Sequence, residues 1–300
     1  MKNTLITIVG ATAIGKTALS IKLAQHFGCD IISCDSRQFY KEMSIGTAVP
    51  DADELASATH HFIQNRSIFE DYSVGQFEKD TLAKLDELFQ KNPIQIMVGG
   101  SGLYVDAALK GLDYFPDVDP NIRVNLTKEL EEKGIESLQN QLKGLDTETY
   151  NSIALDNPHR LIRALEICIG TNNTYSSFKN KPKTPRNFQS IKIGLTADRE
   201  IMYNRINQRV DIMINNGLME EAKELYPHKK LNALQTVGYR ELFEYFDGNF
   251  TKEFAIEEIK KNTRRFAKRQ GTWFRKDKNI IWFDFQDDTQ HIIQEIENKI

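Results

Sequence analysis

The sequence predicts an α/β fold in which a parallel sheet is covered by helices and interrupted by a helical insertion. Three observations carry this. Short apolar runs recur at residues 5–9, 31–34, 94–98, 191–195 and 280–283, the pattern of strands buried on both faces. Helical periodicity fills most of the intervals between them. The interval from Asp113 to about Gln189 is longer than one crossover needs, so a second domain is expected there.

The first strand, residues 5–9, runs directly into Gly10-Ala11-Thr12-Ala13-Ile14-Gly15-Lys16-Thr17, a G-x-x-x-x-G-K-T match. Leu19, Leu23 and Phe27 follow at four-residue spacing. A strand before this motif and an amphipathic helix after it form the context of a phosphate-binding P-loop. The fold class is therefore P-loop NTPase-like. Glycines let backbone N–H groups face one anion, the helix dipole adds positive potential, Lys16 adds a full charge, and the Thr17 hydroxyl suits Mg²⁺. The loop does not say which phosphate it holds, since ATP and any diphosphate ester meet the same electrostatics.

The second strand leads to Asp35-Ser36-Arg37-Gln38-Phe39-Tyr40, which places a carboxylate at the C-terminal edge of the sheet, where ligands of such folds bind. Asp35 can accept a proton from a nucleophile or hold metal water there; as a bland alternative it caps the following turn. Phe77, Leu82, Leu85, Leu88 and Phe89 make the next helix, which stops before Pro93. After the third strand, Gly99-Gly100-Ser101-Gly102 allows close backbone approach and is expected to aim Ser101 into the cleft that holds Asp35.

The insertion opens with Pro116 and Pro120, continues through Leu126, Leu130, Leu138 and Leu142, and ends in a polar segment, residues 171–189. Lys179, Lys181, Lys183 and Arg186 make that segment a basic, flexible loop by expectation. The division is thus a core of 1–112 and 190–300 with a helical insertion domain at 113–189. Beyond the fourth strand, Arg199, Tyr203, Arg205, Ile206, Arg209, Val210 and Met213 form a helix with a basic and an apolar side. Its arginines suit bidentate contact with a diphosphate. Residues 260–278 then gather Lys260, Lys261, Arg264, Arg265, Lys268, Arg269, Arg275, Lys276 and Lys278 with one acid, Asp277, and with Phe266, Trp273 and Phe274 between them. Cations interleaved with aromatics suit a nucleic-acid backbone and its bases.

Composition narrows the class further. The net charge is −3, so any nucleic-acid surface is local rather than global. Cys29, Cys34 and Cys168 are too scattered for disulfides or a structural zinc site and are expected to be core thiols of a cytoplasmic protein. Neither a signal peptide nor a membrane span is expected. His60 and His61 are adjacent, hence on opposite sides of any element, and no zinc is assigned to them.

Taken in order, these motifs resemble the tRNA dimethylallyltransferase (tRNA isopentenyltransferase) family over nearly the whole chain. The matching segments are Gly10 through Thr17, Asp35 through Tyr40, Ile45-Gly46-Thr47, His60-His61-Phe62, Tyr72-Ser73-Val74 with Phe77, Gly99 through Tyr104, Arg160 through Glu166, Gly217-Leu218 with Glu221, Gln235 through Glu241, and Lys268-Arg269-Gln270-Gly271-Thr272-Trp273-Phe274. The resemblance implies transfer of a dimethylallyl group from dimethylallyl diphosphate to N6 of the adenosine 3′ of the anticodon, in tRNAs reading codons that begin with U. It implies that Gly10, Ala11, Thr12, Ala13, Ile14, Gly15, Lys16 and Thr17, with Mg²⁺ on Thr17, hold the prenyl diphosphate. Asp35 becomes the general base, Ser101 the hydroxyl beside it, and Arg209 the grip on the leaving diphosphate, with Arg205 the fallback. Contact with tRNA is implied for Asp35, Ser36, Arg37, Gln38, Ser101, Arg123, His159, Arg160, Leu161, Ile162, Arg163, Gln235, Gly238, Tyr239, Arg240, Lys268, Arg269, Gln270, Thr272 and Trp273. The target base must be flipped out of its loop.

Ala11, Ile14, Val49 and Ser101 depart from the family pattern. Ala11 and Ile14 are expected to alter the loop and the channel wall beside the phosphates, whereas Ser101 keeps its hydroxyl; no role is assigned to Val49. The competing readings are an ATP-dependent small-molecule kinase, an adenylate prenyltransferase and a non-catalytic RNA-binding module. Monomer is the expected state.

Overall fold

A computed structural model describes residues 2–300. They form two compact units, one made of residues up to Lys110 together with Arg186–Ile300, the other Gly111–Pro185. The first unit begins β1 (Thr4–Gly10), α1 (Lys16–Phe27), β2 (Ile31–Ser33), α2 (Ala52–Ser57), β3 (His60–His61), α3 (Val74–Phe89), β4 (Ile94–Gly99), α4 (Gly102–Lys110). The second unit holds α5 (Pro120–Lys133), α6 (Ile135–Leu145), α7 (Thr147–Ser152) and α8 (Pro158–Thr171). The first unit resumes with β5 (Gln189–Thr196), α9 (Arg199–Asn215), α10 (Leu218–Leu225), α11 (Tyr239–Phe246), α12 (Lys252–Phe274), β6 (Ile280–Asp284) and α13 (Thr289–Glu297).

All five apolar runs are strands of one parallel sheet, ordered β3-β2-β4-β1-β5-β6. Central strand β1 is buried at every position. Its side chains alternate between two cores, as strand geometry requires. Ile6 and Ile8 pack with Leu23 of α1 and Ile292 and Ile296 of α13. Leu5 and Val9 pack with Phe77, Leu85 and Leu88 of α3 and with Val105 of α4. A third core, built from α9 to α12, joins Val210, Leu218, Tyr239, Leu242 and Ile259 to Tyr40 and Met43.

The sixth strand, β3, has no apolar run to announce it. Its two histidines pair with Ile31 and Ile32 of β2, and the His61 imidazole bonds the Asp30 carboxylate at 2.8 Å. Local sequence explains the helix ends. Ser73 and Gln76 form a reciprocal capping box before α3, while Asp119-Pro120 and Asn157-Pro158 start α5 and α8 with a side-chain cap followed by proline at the first turn.

The second unit is an all-helical cluster around Leu126, Leu138, Leu142, Leu161, Ile162 and Leu165. Its closing segment corrects the expectation of a flexible loop. Residues 176–178 form a 3₁₀ turn held by the Asp146 carboxylate, and Lys183 donates to the Gly111 carbonyl at 2.8 Å. Arg186, in the first unit, pairs with Glu78 at 2.6 Å and donates to the Ala107 and Ala108 carbonyls. Two of the cations that made the segment look solvated, Lys183 and Arg186, are anchors.

Candidate active site

Strand β1 ends at Gly10 and the chain curls through Ala11 to Gly15 before α1 begins at Lys16. The curl needs left-handed backbone at Gly15, where φ is 106°, a conformation glycine takes without steric penalty. No side chain caps α1. Its first-turn amides therefore lack intrahelical acceptors and remain available to an anion. The Lys16 ammonium donates to the Ala11 carbonyl at 2.8 Å, arching back over the loop. Burial pulls its pKa down to about 8; the Asp35 carboxylate opposes that shift and the Arg209 guanidinium adds to it. Ala13 to Thr17, with Asp51, Glu54, Arg205 and Arg209, line a cavity of about 460 Å³.

The two candidate arginines differ in placement. Arg209 donates to the Thr12 hydroxyl at 3.3 Å and borders both this cavity and its neighbour. Arg205 donates through Nε to the Ala13 carbonyl at 2.8 Å and lies over the Phe285 ring, so part of it props the loop.

Asp35 follows β2, and its carboxylate accepts the Arg37 N–H at 3.2 Å, an Asx turn. Ser101 lies just beyond β4, which is hydrogen-bonded to β2, and its hydroxyl accepts the Ser36 N–H at 3.1 Å and lies 3.2 Å from the Ser36 hydroxyl. The sheet thus brings together loops 65 residues apart. Asp35, Ser101, Thr12 and Arg209 all line one cavity of about 530 Å³, whose far wall includes Val210, Met213, Leu218 and Phe266. A carboxylate, a hydroxyl, the rim of an anion cradle and an apolar wall face one space.

A model of the IPP transferase family matches residues 38–277. The chain belongs to the IPP transferase family. It is 64% identical to the tRNA dimethylallyltransferase of Flavobacterium psychrophilum, with 99% of each chain covered. The same identity relates it to that of Christiangramia forsetii, over 100% of this chain and 99% of the relative. Among solved structures, the full-length tRNA isopentenylpyrophosphate transferase of Bacillus halodurans superposes with a TM-score of 0.73 at 37% identity, covering 99% of this chain and 95% of that one. A eukaryotic dimethylallyltransferase described as acting on tRNA gives a TM-score of 0.81 at 26% identity, over 95% of this chain and 75% of that one.

Several of the side chains expected to contact RNA are engaged within the protein. Leu161 and Ile162 are buried at 0% and 5% exposure in the core of the second unit. Arg123 grips Glu166 bidentately at 3.0 and 2.8 Å, and Arg163 adds a third bond to the same carboxylate at 3.1 Å. Tyr239 is fully buried and donates to Glu221. Gln38 donates to the Thr47 and Ala48 carbonyls, and Arg37 to those of Asn232 and Ala233. Gly238 is buried, its N–H bonded to Glu241. Gln270 is buried, and the Thr272 hydroxyl bonds the Lys268 carbonyl of its own helix. His159, Arg160, Gln235, Arg240, Lys268, Arg269 and Trp273 are exposed. Trp273 lines the larger cavity, its indole N–H held by Asp106 at 3.0 Å.

The Ile14 side chain packs in the sheet core at 1% exposure, at the base of the loop cavity it helps to line, and Ala11 is buried too. The basic run is less basic than its sequence. Lys260 pairs with Asp211 of α9 and with Glu257, Lys261 with Glu258, and Arg264 donates to Asn207. The excess charge is concentrated after residue 264.

One device was not identified as such from sequence. The Glu221 carboxylate accepts the N–H groups of Ser44, Ile45 and Gly46 at 2.8–2.9 Å, and the Tyr239 hydroxyl at 2.6 Å. It holds the loop whose Gly46 and Thr47 line the larger cavity. The signal was present as three separate matching segments, around residues 45, 221 and 239, with nothing local to join them.

Among the described residues no group of three or more His, Cys, Asp or Glu side chains is arranged to hold a metal ion, and no helix is long and apolar enough to cross a membrane.

Proposed function

We propose that this chain transfers the dimethylallyl group of dimethylallyl diphosphate to N6 of the adenosine immediately 3′ of the anticodon in tRNAs reading codons that begin with U. One observation carries the reading: Asp35 and Ser101 open onto the same cavity as Thr12 and Arg209, which border the phosphate loop. An acceptor amine and a leaving diphosphate then face each other across one space. The loop amides, Lys16 and Arg209 bind and orient the diphosphate and stabilise the charge that develops on it. The bond from the prenyl C1 to the diphosphate oxygen breaks, a bond from N6 to C1 forms, and the N6 proton passes to Asp35. Ser101 hydrogen-bonds the same amine and orients it. The apolar wall takes the prenyl tail. Exposed Arg240, Lys268, Arg269 and Trp273 of the first unit, and His159 and Arg160 of the second, take the RNA, with Trp273 offering a face for an unstacked base.

Mg²⁺ fits the residues present. The donor is the Thr17 hydroxyl on the wall of the loop cavity, a sparse site that suits an ion completing its shell with diphosphate oxygens and water, while Asp51 and Glu54 nearby cap α2 reciprocally. When bound, the ion neutralises charge on the diphosphate. A cytoplasmic site of action follows from the same reading.

The test is incubation of the protein with labelled dimethylallyl diphosphate and unmodified tRNA, AMP or no acceptor, following label and diphosphate release. Label in tRNA together with stoichiometric diphosphate is expected. Label in AMP alone shows an adenylate prenyltransferase, and consumption of ATP without transfer shows a kinase; either outcome overturns the proposal.

A further inference from the structure

Strands β1 and β4 pair in parallel up to Val9 and Gly99, and then their chains part. One becomes the phosphate loop; the other turns through Gly100 to Ser101. The space between them is occupied by the side-chain amide of Gln270, reaching in from α12. Its Oε1 accepts the Thr12 N–H at 2.9 Å, and its Nε2 donates to the Gly100 carbonyl at 3.0 Å. The residue is 6% exposed.

A primary amide presents one acceptor and one donor side by side, as a peptide unit does. Gln270 therefore acts as one more rung of the sheet ladder where the backbone can no longer supply it. The fit is close: a Cβ on Gly100 would stand 2.2 Å from the Gln270 nitrogen, so that carbonyl and that amide meet only because residue 100 is glycine. The rung also takes the Thr12 N–H out of the set of loop amides open to an anion. On one side, Thr12 receives Arg209 through its hydroxyl; on the other, the residue after Gly100 is Ser101, fixed to Ser36.

From this we infer that Gln270 is a positioning residue: it sets the distance between the diphosphate cradle and the Asp35–Ser101 side of the cavity, and it does not bind RNA itself. The inference rests on the proposed transferase reading and deepens it. Both amide partners belong to the two reacting halves of the site, so losing the rung lets the loops drift while each keeps its own ligand contacts. A misplacement of about 1 Å between reacting groups costs roughly 10²-fold in rate.

The experiment compares Gln270→Met, which keeps size and removes both bonds, with Gln270→Glu, which keeps the acceptor for Thr12 but sets an oxygen against the Gly100 carbonyl. For each, kcat, KM for dimethylallyl diphosphate, KM and Kd for unmodified tRNA, and Tm are measured beside the wild type. The expected result is kcat down about 10²-fold in both variants, with KM values and tRNA Kd within about threefold of wild type (the resolution assumed for such assays) and a folded protein by circular dichroism. A raised tRNA Kd with saturating kcat unchanged makes Gln270 an RNA contact and overturns the inference. So does unchanged kcat with a lowered Tm, or failure of both variants to fold, since either leaves a residue that only stabilises the fold. If the wild type transfers nothing to tRNA, it is the proposed function that fails, whatever the variants do.

Discussion

Replacing Glu221 with alanine is expected to destabilise the first unit and loosen one wall of the larger cavity. The carboxylate accepts four hydrogen bonds, from the amides of Ser44, Ile45 and Gly46 and from the Tyr239 hydroxyl. A bond to a charged acceptor contributes about 1.5–3 kcal/mol, and a buried donor left without a partner costs about 1–3 kcal/mol. The four do not add, because the loop amides are partly exposed and regain water, whereas the fully buried Tyr239 hydroxyl does not. Burial, then the Glu221 charge, push the Tyr239 hydroxyl well above its ordinary pKa, so it remains a donor at all working pH values. The net expectation is a loss of ~3–5 kcal/mol for Glu221→Ala. Tyr239→Phe removes one bond and leaves the three amides satisfied, for a loss of ~1–2 kcal/mol. Urea unfolding followed by circular dichroism gives both values, and hydrogen exchange at Ser44, Ile45 and Gly46 should quicken in Glu221→Ala. A loss below ~1 kcal/mol for Glu221→Ala, or equal losses for the two variants, would refute the reasoning.

The other predictions concern charge. Asp35→Asn should lower transfer about 10²–10⁴-fold while tRNA affinity in a filter-binding assay is unchanged, since general-base catalysis has that magnitude; full retained turnover removes Asp35 as the base. Arg209→Ala should cost more in kcat than Arg205→Ala, about 10²–10³-fold for the former by analogy with loss of one charge-stabilising donor; the reverse ranking moves the diphosphate grip to Arg205. The free protein loses the Lys16 proton near pH 8, so affinity for inorganic diphosphate, measured by calorimetry, should fall as pH rises through 8 and the decline should vanish in Lys16→Met. Unfolded lysine keeps its proton up to its ordinary pKa of 10.5. Between those values the unfolded state binds more protons, so Lys16 makes stability rise with pH there. Arg123→Met should destabilise the second unit near pH 7 by ~1.5–3 kcal/mol, read by denaturant unfolding. Burial raises the Glu166 pKa, but the bonds from Arg123 and Arg163 outweigh it and hold it below the usual range. That contribution is present above the ordinary glutamate pKa and is lost as pH falls through the depressed one, so the mutational cost should shrink in acid.

The phosphate loop was legible because its conformation is written locally. Glycine where φ is positive, and lysine and threonine in the first helical turn, are properties of consecutive residues, readable without knowing what they fold against. The five longer strands were legible for a similar reason: a strand largely buried on both faces is apolar at most of its positions. His60–His61 escaped because an edge strand of two residues is specified by backbone bonds to Ile31 and Ile32, not by its own side chains.

What only the tertiary structure decided is which polar side chains face inward, and toward what. Gln270 lies 258 positions from Thr12 and 170 from Gly100, and nothing in a charged helical stretch distinguishes a glutamine that stitches two loops from one that greets solvent. Glu221 looks like one more acid on α10 until three amides and a tyrosine converge on it. Lys260 looks free until Asp211 arrives from α9. Residue types and spacings by themselves determined five of the six strands, the Gly10–Thr17 loop motif and the family; the partners of buried polar groups were decided by the packing of distant segments, because a hydrogen bond or ion pair is satisfied by whatever the fold brings within 3 Å, and sequence distance carries no information about that.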